Sequence, residues 1–199
     1  MPWKQQVRRF EVAFNYANSD HWQTTESLKN RIAAFRAQHP NYGLSMALFD
    51  PIVDWKLRKQ RGRTESRRDG LTEPLLACVT GCAFTVQHRR PEVLASVQVG
   101  ILASLPGVGV GLATAILALT FPEVHGVIDF RVWMVVFQED KQSFTAQDYV
   151  RYLSELRPFA QEAGWSIQKA DFMVWSFYDE LTSASTRTRR KRRAAQPER

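Results

Sequence analysis

No charged side chain occurs between residues 93 and 122, and this apolar run most constrains what the chain can become. Unbroken, such a run would suit a membrane span. Pro106, Gly107 and Gly109 interrupt it near the middle, leaving halves of about a dozen residues, short of the roughly 20 that a spanning helix needs. Ser96, Gln98, Ser104 and Thr114 break the apolar surface further. The pattern predicts a buried helical hairpin and no membrane partner. Leu94, Val97, Ile101 and Leu105 stripe its first arm, and Leu112, Ala115, Ile116 and Leu119 recur at helical spacing in its second. The turn reads Leu105-Pro106-Gly107-Val108-Gly109-Val110-Gly111. Glycine lets a ligand come close to the backbone, and the bare N–H groups opening the second helix favour an anion, phosphate being the natural guest. Leu105 and Val108 read as buried anchors of the turn.

The rest of the chain also reads as helix. Phe10–Phe14 fits either a short strand or a helix turn, and Thr25–Gln38 a helix with Leu28, Ile32 and Phe35 inward. Asp50-Pro51 reads as the cap and first turn of a helix to about Gln60, followed by a basic loop through Arg68. Thr72-Glu73-Pro74 opens a helix reaching about His88, and Pro91 starts the first arm of the hairpin. Asp129 caps a helix through about Phe137, Thr145-x-x-Asp148 is a capping box, and Ser166 opens a last helix bearing Ile167, Ala170, Val174, Phe177 and Leu181. No alternation lasts long enough to demand a sheet. An all-α body of about seven or eight helices is expected.

At 199 residues with 44% hydrophobic side chains, one compact domain with extensions is expected. The net charge of +7 is uneven: residues 184–199 hold seven Lys/Arg against Glu198, or +6, leaving +1 elsewhere. That tail lacks large apolar residues and is expected to be disordered, a basic arm suited to phosphate contact. Cys78 and Cys82 read as two small buried thiols, and His21, His39, His88 and His125 are too scattered for a metal site. No metal or cofactor is expected. The N-terminus has no apolar run of the kind that directs export.

Leu105–Gly109 and the Ala-Thr-Ala-Ile-Leu that follows, with Asp129 22 positions after Gly107 and opening an apolar helix, resemble the helix-hairpin-helix DNA glycosylases. This superfamily includes endonuclease III and the 8-oxoguanine glycosylases. The resemblance covers residues 71–183 well and 46–60 loosely. It implies a glycosylase-like α domain over 46–183, an N-terminal extension over 1–45 and the basic tail over 184–199. The turn residues Leu105, Gly107, Gly109 and Gly111 would hold a DNA phosphate, and Asp129 would be the catalytic acid. Two departures matter. The hairpin lysine of bifunctional members is replaced by Gly111, and the four cysteines of an iron–sulfur cluster are missing. The resemblance therefore implies a monofunctional enzyme that hydrolyses the N-glycosidic bond of a damaged or modified base.

In that chemistry a carboxylate stabilises positive charge on the sugar and activates water, both tasks for Asp129. An Asp opening an apolar helix also serves as a plain N-cap, and the two roles are compatible. The target nucleotide must leave the duplex, and its base needs stacking faces. Trp55, Lys56 and Trp133 are candidates for that pocket, with Trp175 and Phe172 as further aromatic candidates. A monomer acting on duplex DNA in the cytoplasm, at the nucleoid, is the expected setting. The alternative is a non-catalytic helix-hairpin-helix DNA-binding protein in which Asp129 only caps. A hairpin used for protein assembly is a weaker third reading.

Overall fold

The computed structural model describes residues 2–40 and 42–194, with the side chains of Lys59, Arg63 and 183–194 left aside. The protein is all-α: among the described residues there are nine α-helices and no strand. They are α1 (Trp3–Ala13), α2 (Asp20–Gln38), α3 (Met46–Leu57), α4 (Glu73–Thr85), α5 (Pro91–Leu102), α6 (Val110–Thr120), α7 (Phe130–Phe137), α8 (Ala146–Ala163) and α9 (Ile167–Ala194). A 3₁₀ run, Arg58–Arg68, joins α3 to the segment before α4.

The uncharged run becomes the hairpin of α5 and α6, and every residue from Leu112 to Thr120 is buried. A helix apolar on all sides must be surrounded. Here α2, α3 and α5 pack around α6, while α7, α8 and α1 gather on α9. Contact between α5 and α8 joins the two groups. No helix of the described residues is long and apolar enough to cross a membrane.

Local chemistry explains most helix starts. Thr72 accepts from the Leu75 amide, and Thr145 and Asp148 complete a reciprocal capping box. The Ser166 hydroxyl accepts from Lys169 N at 3.1 Å. Asp50-Pro51 is not a helix start: α3 begins four residues earlier, and Pro51 lies inside it. A proline there strips Ala47 of its intrahelical donor, and Arg31 donates to that carbonyl instead, at 3.4 Å.

Residues 1–45 contribute two helices to the common core through Val7, Leu28, Ile32 and Leu44. Phe10–Phe14 resolves as the end of α1. Cys78 and Cys82 are free and exposed, not buried, because their spacing puts both on the outer face of α4. Leu181, expected on the inner face of α9, is exposed. The backbone of 184–194 continues α9, in keeping with the helix preference of Arg, Lys and Ala, and the rest of the basic tail expected to be disordered, residues 195–199, lies outside the described residues.

Candidate functional site

Between α6 and α7 the chain runs through a short loop that delivers Asp129. Hydrogen bonds to α6, α8 and α9 fasten it. The buried Tyr149 hydroxyl donates to the Gly126 carbonyl at 3.1 Å, the Val127 amide donates to the Asp171 carboxylate, and the Ile128 amide donates to Thr114 Oγ1 at 3.2 Å. The same Thr114 hydroxyl donates to the Gly111 carbonyl at 3.0 Å. One threonine thereby ties the turn to the acid-bearing loop. A side chain on Gly126 would meet Leu156 Cδ2 at 2.9 Å and Asp171 Cβ at 3.0 Å, so no larger residue fits without a shift.

The two carboxylate oxygens of Asp129 do different things. Oδ1 accepts from the amides of Arg131 and Val132, at 2.9 and 3.2 Å, and caps α7. Oδ2 lies 3.5 Å from the Lys56 amine, which also reaches the Ile128 carbonyl at 3.4 Å. A Cβ on Gly111 would sit 3.7 Å from Lys56 Cε and 3.6 Å from the Ile128 carbonyl oxygen. Carboxylate, amine and glycine turn are therefore neighbours. The side chains of Asp129 and Lys56 are 24% and 13% exposed, partly sheltered but open to water.

Within the turn, the four expected phosphate-binding residues divide. Gly109 caps α6, and its carbonyl takes the amides of Leu112 and Ala113 at 3.0 and 2.9 Å. The amides of Gly109, Val110 and Gly111 precede these first intrahelical donors, the usual state of a helix start. Leu105 is buried as an anchor. Gly107 adopts φ 71°, and a Cβ there would lie 2.6 Å from Arg68 Cγ and 2.8 Å from the Arg67 carbonyl oxygen. What approaches Gly107 closely is the end of the basic 3₁₀ run.

The candidate pocket residues also separate. Trp133 is fully buried against Phe137 and Phe144, with its indole N–H on Glu139 at 3.2 Å, and cannot wall an open pocket beside Lys56. Residues two apart on a helix point to nearly opposite sides, so it is Arg131 of α7 that faces the site. Trp55 lies in the last turn of α3, next to Lys56 in the chain. Its ring lies 5.4 Å from His21 at an interplanar angle of 16°, and its N–H donates to Thr25 Oγ1 at 2.9 Å. His21 in turn lies 4.9 Å from Trp175 and 5.8 Å from Phe172.

Sequence reasoning did not single out His21, Arg58 or Arg131 for the site. Arg58 Nη2 is 2.9 Å from His21 Nδ1. A guanidinium only donates, so Nδ1 accepts and Nε2 carries the proton. Burial, followed by the charges of Arg58, Arg131 and Lys56, lowers the His21 pKa to about 4. The ring is uncharged at neutral pH. Behind Asp129, the buried Asp171 carboxylate accepts from Tyr152 Oη at 2.6 Å. Burial pushes its pKa up to about 7, and the nearby charge of Asp129 adds to the rise.

Among the described residues no group of three or more His, Cys, Asp or Glu is placed to hold a metal ion. Two surface grooves, one against Phe159 and one against Trp22, lie away from Asp129. No protein-family model, curated protein sequence or solved structure was found to match this chain.

Proposed function

We propose that the protein is a monofunctional DNA N-glycosylase acting on a damaged or modified base in duplex DNA, as a monomer of the cytoplasm and nucleoid. The observation that carries this reading is the single neighbourhood of Asp129, Lys56 and the Gly109–Gly111 amides. The amides and the basic run beside Gly107 would hold the strand without reading sequence. Asp129 Oδ1 is occupied in the cap, which fixes the carboxylate, and Oδ2, beside the Lys56 amine, would face an extruded sugar. As the C1′–N bond breaks, its electrons leave with the base and C1′ becomes positive. Oδ2 stabilises that charge and takes a proton from the water that adds.

The test is release of free base from duplexes carrying a panel of lesions, with Asp129→Asn beside the native chain. Release that disappears in Asp129→Asn supports the assignment, and unchanged release refutes it. Salt-sensitive duplex binding without release would instead mean a non-catalytic helix-hairpin-helix protein.

The position of Lys56 favours a second reading. Its chain passes beside Gly111, where bifunctional members of the resembled superfamily carry a lysine. On giving up a proton, its amine could condense with the C1′ aldehyde of an abasic site, releasing water and forming an imine. Borohydride would reduce that imine to a stable protein–DNA link. A link lost in Lys56→Gln supports this reading; no link on a preformed abasic duplex leaves the enzyme monofunctional.

A further inference from the structure

We infer that the aromatic platform of Trp55, His21 and Trp175 receives the extruded base and admits neutral bases while refusing those with a fixed positive charge. This rests on the glycosylase reading and names its substrate class. Three separate elements bring these rings together: the start of α2, the end of α3 and the first half of α9. The link to Asp129 runs through Lys56, its ion-pair partner, and Arg131, two residues on, both of which act on His21. The buried Phe172 packs against the platform, 5.8 Å from His21 and 6.3 Å from Trp175.

The platform carries its own cations. The Arg58 guanidinium sits 5.1 Å from the Trp175 ring, and that of Arg131 sits 4.8 Å from it. Sites that bind cationic ligands offer aromatic faces free of other charge. On Trp175 that place is already taken twice. The charged groups acting on its His21 are Lys56 and Arg58, from α3 and its end, and Arg131 of α7. Asp129 pairs with Lys56, and Asp179 pairs with Arg131 at 3.0 Å. Two of the three cations are thus paired, and the third, Arg58, bonds the neutral His21 ring. The electrostatic influences on that imidazole come from Arg58, Arg131 and Lys56. A base bearing a methyl-induced positive charge would meet like charge there. A neutral base meets an uncharged ring whose Nε2–H suits a carbonyl or ring-nitrogen acceptor.

Arg58 is held in place at a cost. Its φ of 47° with ψ of −122° is a conformation that side-chain-bearing residues rarely adopt, and such strain persists where the surroundings dictate it. The placement also suits the chemistry. The departing base takes the bonding electrons from C1′, and fixed positive charge stabilises the anion until solvent protonates it. Bases with ring carbonyls, such as deaminated or oxidised ones, fit this demand.

The experiment uses the full chain and duplexes with a 2′-fluorinated nucleotide, whose glycosidic bond resists cleavage. One duplex carries uracil and the other N7-methylguanine. Quenching of tryptophan fluorescence gives the affinity of each, and released base is measured in parallel on the unfluorinated duplexes. Uracil is expected to bind at least about tenfold more tightly than N7-methylguanine, with Arg58→Gln narrowing the gap. Equal affinities, or a preference for N7-methylguanine, overturn the inference even if bases are released. Selective binding with no release keeps the inference and removes the glycosylase reading.

Discussion

Two tryptophans, Trp133 of α7 and Trp175 of α9, are each flanked by two cations, and they are built for different ends. Around Trp133 the charges cancel: Arg151 and Lys141 lie over its ring, at 5.2 Å each, and pair with Glu139 and Asp148 at 3.1 and 2.6 Å. The indole itself is fully buried, so the cluster closes α7 against α8. Around Trp175 the ring is partly exposed, and one of its cations, Arg58, bonds an imidazole. Similar residue types thus give a buried indole under neutralised charges on one side and a partly exposed, positive cluster on the other. Burial of the indole and charge balance make the first a brace. Residual charge and exposed aromatic surface fit the second for a ligand.

The sharpest break in this comparison is expected from Asp129→Asn, which lies on the Trp175 side. Base release should fall at least about a hundredfold, while stability changes by under about 1 kcal/mol because Asn caps a helix nearly as well as Asp. Parallel measurements of release and urea denaturation check both halves. Next, Trp133→Ala should cost about 3–5 kcal/mol on urea denaturation, and Trp175→Ala roughly half that while weakening nucleotide binding more. Equal stability losses would erase the distinction between the clusters. Gly107→Ala should cost about 1–3 kcal/mol, since a side chain there is strained and meets the Arg67 backbone.

The smallest effect is a pH dependence with opposing parts. Asp171 has a folded-state pKa of about 7, raised above its unfolded value, so its contribution to stability falls as pH rises from about 4 to 7. His21 and His125 are both lowered to about 4, chiefly by burial, so theirs is lost as pH falls from about 6.5 to 4. Replacing Asp171 with Asn removes the first part. The variant's thermal stability should then climb more steeply with pH across that window than the native chain's. A parallel curve would mean that Asp171 does not titrate there.

Much of the fold was legible because its signals are local. The Pro-Gly turn, the Thr72 and Thr145 caps and the Asp129 cap need only a few neighbouring residues, and each sits where the sequence suggests. Asp50-Pro51 misled because the apolar helical run beginning at Met46 outweighs the local start signal, with Arg31 supplying a distant donor. Asp129 and the turn were legible as candidates through spacing. The partition of Trp55 from Trp133 was not, because periodicity marks an apolar face without saying what that face meets.

By itself the sequence determined an all-α chain with a glycine turn between two apolar helices and an acid opening a later one. Those features depend on backbone freedom, capping and helical period, all short-range in the chain. Only the tertiary structure decided that Lys56 stands beside Gly111 and Asp129, and that His21 and Arg58 meet Trp175. These contacts join residues from α2, α3, α7 and α9, and their charge and burial come into being only when the helices pack.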